Sequence, residues 1–285
     1  MICARLFFLL VCATAVVAQT PPNLAPPNLD KLRADGYDAL FNLDYDGARR
    51  AFTKMMTLAP DDPAGPESFA TSLWLEQLNK TLETKSTLYT DDTDTKDKTR
   101  IDPAKVAEFK KWTRRAKQLS EARLRKNPRD VEALYFLGAA EGLEAAYAGG
   151  VERKYMAALR TGSDAVDHHR KVLELSPQFI DAKLTIGLQD YVIGSLPLPV
   201  KMIAGTFGVH GSKKRGLNEL EQVARDGHWG RDVARVLLVD LYKREQRWDD
   251  AIATARDLST RYPRNKLFKQ QLADVSTRKL KAERK

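Results

Sequence analysis

Four histidines, one acidic run and one Gly-Ser-Lys stretch are the residues of this chain whose types could bind metal or phosphate. His168 and His169 are adjacent, and neighbours on a helix point about 100° apart, so they do not converge on one ion. No histidine pair stands at i, i+4 and no His-Glu-x-x-His pattern occurs, so no metal site is expected. His169 reads as a packing residue. The run DDTDTKDKTRID matches a calcium loop at Asp92 and Asp94. Its fifth position, however, is Lys96, its sixth is Asp97 where glycine is required, and its twelfth is Pro103 in place of the bidentate glutamate. It reads as a solvated loop. In GVHGSKKRG the order Gly211-Ser212-Lys213 is not the Gly-Lys-Ser/Thr of a phosphate loop. No nucleophile–base constellation and no cofactor motif is visible, so the expectation is a protein without catalytic residues or cofactor.

The elements that carry these residues are set by composition first. The chain has 285 residues, 43% hydrophobic and 30% charged, enough apolar material for a sizeable core and too mixed in charge for a disordered chain. Met1 to Arg5 and the apolar run Leu6–Val17 have the form of a secretory signal, with Val16 and Ala18 at a small-residue cleavage site. Cleavage after Ala18 is expected. The run falls far short of the ~20 residues needed to span a bilayer, so no transmembrane span is expected in the mature chain. Both cysteines, Cys3 and Cys12, lie inside this segment, which removes disulfides and thiolate chemistry from the mature protein. Loss of Arg5 leaves a formal charge one below the +9 of the whole chain. A basic surface suits anionic partners: lipid headgroups, cell-wall polymer or an acidic protein. Export disfavours nucleic acid.

Residues 19–29 form a linker; QTPPNLAPPN holds four prolines and cannot be helical. A repeating pattern follows. In FNLDYDGARRAFTKMMTLAPDDP the chain turns at Leu43-Asp44-Tyr45, Ala48, Phe52 and Met55 follow at helical spacing, and Pro60 ends the helix. REQRWDDAIATARDLSTRYPRN repeats this with Trp248, Ala251, Ala255, Leu258 and Pro263. Between them VEALYFLGAAE places Leu134, Leu137 and Gly138 in a large-large-small triplet, followed by Ala165, His169 and Val172 before Pro177. DAKLTIGLQDY does likewise with Ile186 and Gly187. A weaker unit uses Phe69, Ala70 and Leu73, then Ala116 and Leu119, closing at Pro128. Small residues allow two helices to approach closely, and each proline stops the second helix.

These segments resemble the tetratricopeptide repeat (TPR) family, a 34-residue helix–turn–helix with this small-large-small-proline order. The resemblance spans residues 30–265 and implies an all-α, right-handed solenoid of about five helix pairs. Leu267, Phe268, Leu272 and Val275 fall on one face of a capping helix within 266–285, whose end is a basic tail.

Departures from the pattern lie inside the units. Nine positions separate Ala39 from Ala48 and Tyr242 from Ala251, but 43 separate Leu73 from Ala116, 24 Glu141 from Ala165, and 26 Asp190 from Gly216. All three additions fall between the helices of a unit, on one edge of the solenoid. In the third unit longer helices account for the addition. In the fourth they do not, because Gly194–Gly216 holds two prolines and several glycines. There Pro199 starts a short helix whose Val200, Ile203 and Phe207 form an apolar stripe expected to pack on the solenoid, and Gly208 stops it. Ser212 caps the next helix, and its first turn, Lys213, Lys214 and Arg215, opposes the macrodipole; these four residues form a candidate anion site. The basic helix Lys110–Lys126 reads as a solvated face.

What the resemblance implies for function is protein–protein recognition through the concave face formed by first helices. Carried onto this chain, that face includes Tyr37, Trp74, Tyr135, Leu184, Leu188, Tyr191, Asp240 and Lys243. Its aromatic and aliphatic character suits an apolar or extended segment. The expected role is binding of a protein or peptide in the bacterial cell envelope, with anionic lipid or cell-wall polymer as the alternative partner.

Overall fold

A computed structural model describes residues 28–84, 102–206 and 208–284. The leader, most of the linker, the acidic run from Asp92 to Ile101, Phe207 and the Ile203 side chain lie outside the described residues.

Among the described residues there are twelve α-helices and no strand. They stack as five pairs: α1 (Leu29–Phe41) with α2 (Tyr45–Leu58), α3 (Ala64–Thr84) with α4 (Pro103–Lys126), α5 (Val131–Gly150) with α6 (Tyr155–Leu175), α7 (Lys183–Ser195) with α9 (Lys213–Asp226), and α10 (Arg231–Arg244) with α11 (Trp248–Arg261). The short α8 (Leu198–Thr206) lies between α7 and α9, and α12 (Lys266–Glu283) caps the stack. This is the TPR-like all-α solenoid anticipated from the repeats.

Local chemistry fixes the helix ends. Asp44, Asp130 and Asn265 each accept a backbone N–H from the first turn of the following helix, and Asp102 does so ahead of Pro103. Second helices α2, α4, α6 and α11 end at Leu58, Lys126, Leu175 and Arg261, each two residues before Pro60, Pro128, Pro177 and Pro263. The first and last pairs turn alike: Leu43 (φ 66°) and Gln246 (φ 56°) both enter the left-handed region, then Asp44-Tyr45 and Arg247-Trp248 open the second helix. Both residues accept that unfavourable conformation to make the tightest turn.

Close packing explains two small residues. A Cβ on Gly216 would sit 2.5 Å from the Gly187 carbonyl oxygen, so α7 and α9 cross with their backbones almost in contact. A Cβ on Gly138 would meet the His169 ring at 2.7 Å. His169 is buried and bonds the Tyr135 carbonyl oxygen at 3.0 Å, as a packing residue should. Longer helices absorb the extra length of the third unit, since α5 and α6 run 20 and 21 residues. The basic helix α4 keeps the expected solvated face, with Lys111, Arg114, Arg125 and Lys126 exposed, and adds a tied side. Lys110, Lys117 and Arg123 pair with Glu152, Glu144 and Asp130, tying it to the next unit, and Trp112 packs 5.1 Å from Phe69. These three cations are interface groups because the neighbouring unit supplies the carboxylates.

The stack curls until its ends meet. The Asn265 amide donates to the Phe41 carbonyl oxygen at 2.7 Å, the Arg264 N–H to Asn42 at 3.4 Å, and the Phe41 and Tyr262 rings lie 5.1 Å apart. Across the interior, the Arg33 guanidinium lies 4.2 Å over the Trp229 ring.

Candidate functional site

First helices line the inside of the curl, and closure determines what that face can do. Tyr135, Tyr191, Asp240 and Lys243 are buried, while Tyr37, Trp74, Leu184 and Leu188 are half-buried. Arg33, 3% exposed, stacks on Phe136 as well as Trp229 and stands 3.7 Å from the Glu67 carboxylate. Cation–π contact with several rings suits a guanidinium withdrawn from water. Burial lifts the Glu67 carboxyl above its ordinary range, against the pull of Arg33 and the Thr71 hydroxyl, which donates at 2.9 Å. On the far side Lys243 lies 3.3 Å from Asp240 and 3.2 Å from Asp274 of the cap. Trp74 meets Tyr147 edge-on at 6.3 Å. Half of the candidate concave-face residues are therefore buried and internally paired, and the other half are partly exposed. Among the described residues, Trp229 over Arg33 and Asp274 beside Lys243 supply part of that cover.

One mouth of the curl is open among the described residues. A cavity of about 940 Å³ lies where the first helices begin, at the edge carrying the connections between units. Phe136, Phe179, Trp229 and the Arg33 stem form its floor; Asp62 and Gln178 stand on its rim. Two loops build it, Ser176–Ile180 and Asp226–Trp229. The second is held by Asp181, whose carboxylate accepts the His228 N–H at 3.0 Å and the Gly230 N–H at 2.8 Å. Sequence reasoning missed these residues because the repeat pattern names helix positions and says nothing of loops. The one available signal was Trp229, an aromatic placed between His228 and Gly230 outside any periodic face.

The candidate anion site is largely self-neutralised. Ser212 caps α9 by accepting the Arg215 N–H at 3.3 Å. Arg215 grips the buried Asp190 carboxylate with two donors, one at 2.6 Å. Lys213 reaches Glu245 at 2.7 Å, and the same carboxylate accepts the Tyr191 hydroxyl at 2.8 Å. Burial and that acceptor push the Tyr191 phenol up to about 12. Lys214 is exposed and, among the described residues, has no ion-pair partner. The dipole is opposed by three cations, but two of them are answered by carboxylates from α7 and the end of α10. Of the apolar stripe, Val200 is 44% exposed; the Ile203 side chain and Phe207 lie outside the described residues. No group of three or more histidine, cysteine or acidic side chains among the described residues could hold a metal.

No protein family and no curated protein matches this chain. Among solved structures, a thermophilic TPR protein of Thermus thermophilus is similar over 87% of this chain and 99% of its own, with 16% identity and a TM-score of 0.46.

Proposed function

We propose that this chain is a non-enzymatic binding protein of the bacterial cell envelope that takes a protein segment at the open mouth of the curl. The carrying observation is the cavity: an aromatic floor of Phe136, Phe179 and Trp229 under a polar rim, on a rigid stack of helices. Apolar concavities with a few placed polar groups are where proteins take ligands, and solenoids use such surfaces for partners. An extended segment with an apolar anchor fits this lining better than the paired interior does. The envelope assignment rests on the leader-like Met1–Ala18; N-terminal sequencing of the accumulated protein should return Gln19, and a retained Met1 would remove it.

A photo-crosslinking residue at exposed Gln178, on the rim, tests the binding reading. A discrete crosslinked partner is expected, weakened by Asp62→Lys on the same rim and absent from a crosslinker at Arg256 on the outer surface. Equal crosslinking at both positions, or none at Gln178, would overturn it.

A further inference from the structure

Among the described residues, the connections within units lie on the edge opposite the mouth, and that edge has an unusual surface. Among the described residues eight large hydrophobic side chains are exposed, and six belong to this region: Tyr155, Met156, Val192, Leu198, Val200 and Met202. Leu198, Met202, Tyr155 and Met156 are 71, 66, 68 and 71% exposed. They form one neighbourhood. A Cβ on Gly162 of α6 would lie 3.5 Å from Gln189 of α7, which runs antiparallel to it. Seven residues of helix, roughly 10 Å, bring Tyr155 level with Leu196, where the chain enters α8. Leu198 and Met202 share one side of α8 and Val200 lies on the opposite side, so this helix is apolar on two flanks and stands clear of the stack.

The segments that carry these side chains hold cations and no acid, and the neighbouring Glu152 and Glu245 are paired with Lys110, Lys154 and Lys213. Residues 192–216 contain no Asp or Glu, nor do residues 153–163. Arg153, Arg160, Lys201 and Lys214 lie in these segments, and none has an ion-pair partner among the described residues.

We propose that this edge docks on the surface of an anionic phospholipid bilayer, with Leu198, Met202, Tyr155 and Met156 entering the headgroup–acyl boundary and the free cations meeting lipid phosphates. Projecting apolar side chains ringed by cations are what interfacial binding requires. Self-pairing of this edge would set its cations against their own copies. No helix among the described residues is long and apolar enough to cross a membrane, so the contact is peripheral. Docked this way, the mouth faces away from the membrane, at the far ends of the first helices.

Vesicle flotation of the chain, in the form cells accumulate, tests this with phosphatidylglycerol–phosphatidylcholine vesicles and phosphatidylcholine alone. Partition onto the anionic vesicles only, falling with salt, is expected. Leu198→Ser/Met202→Ser should weaken it at least tenfold, and Lys201→Gln/Lys214→Gln about fivefold per cation. These side chains are exposed, so thermal melts of both variants should match the parent and exclude misfolding. Absence of partition, equal partition by parent and Leu198→Ser/Met202→Ser, or a concentration-dependent dimer abolished by that variant would overturn the proposal. Crosslinking at Gln178 reads the mouth separately, so failure of one reading leaves the other intact.

Discussion

Closure of the curl makes a sharp prediction at Asn265. This residue is 1% exposed and does two jobs: its Oδ1 caps α12 by accepting the Leu267 N–H at 2.9 Å, and its Nδ2 donates to the Phe41 carbonyl oxygen at 2.7 Å, 224 residues earlier. Asn265→Ser separates them. Serine caps a helix about as well as asparagine, but it cannot reach Phe41. The carbonyl would then be buried without a donor, at a cost of about 1–3 kcal/mol. For a chain of this size that lowers the melting midpoint by roughly 2–10 °C. Asn28→Ser is the control: Asn28 is an exposed cap accepting the Lys31 N–H at 2.9 Å, and its change should cost only a few tenths of a kcal/mol. Helical arrays can unfold in parts, so amide hydrogen exchange is the better assay. Asn265→Ser should speed exchange in α1 and α2 as well as in α12. If exchange rises in α12 alone, or both serine variants melt alike, the ends do not support each other and the closed interior is refuted.

Three further outcomes follow from the packing. Ala251, fully buried where α11 meets α10, should not tolerate extra methylenes; Ala251→Leu should cost on the order of 1–3 kcal/mol in a denaturant melt. Arg215→Gln strips the buried Asp190 carboxylate of its two-donor partner. With half the guanidinium surface in water, the loss should be about 1–2 kcal/mol, whereas Lys214→Gln, at an exposed and unpaired cation, should leave the melt unchanged. Burial holds the His169 imidazole down at about 4 while the unfolded chain takes up its proton near pH 6.5. Stability is therefore complete above about pH 6.5 and falls as the pH drops, by roughly 2 kcal/mol on reaching pH 5. His168, raised by its bond to Glu141, already contributes fully below pH 6.5 and does not offset this loss. Denaturant midpoints at pH 7 and pH 5 should differ for the parent and much less for His169→Gln.

Sequence alone determined the helices, their pairing and their ends. Pairing was legible because close approach of two helices demands small residues at fixed positions, such as Gly187 against Gly216 and Ala251 in α11, and because proline cannot continue a helix. His169 was recognisable as core for the same reason: it occupies a packing position in a periodic face. The fate of the inner face was not legible. Whether Tyr135 or Tyr191 meets a partner or a neighbour depends on how much each unit rotates on the last, a small angle summed over five units. Only the folded chain carries that sum, and it brings Asn265 onto Phe41. Arg33, one turn before Tyr37, is covered by Trp229, nearly 200 positions away. Lys213 and Arg215 looked unanswered for a similar reason, since Glu245 and Asp190 belong to other helices. Loops obey no helical period, so the aromatic floor at the mouth appeared only in three dimensions. At α8 the periodicity marked an apolar stripe but could not tell what lay opposite it. There the tertiary structure left Leu198, Val200 and Met202 facing water.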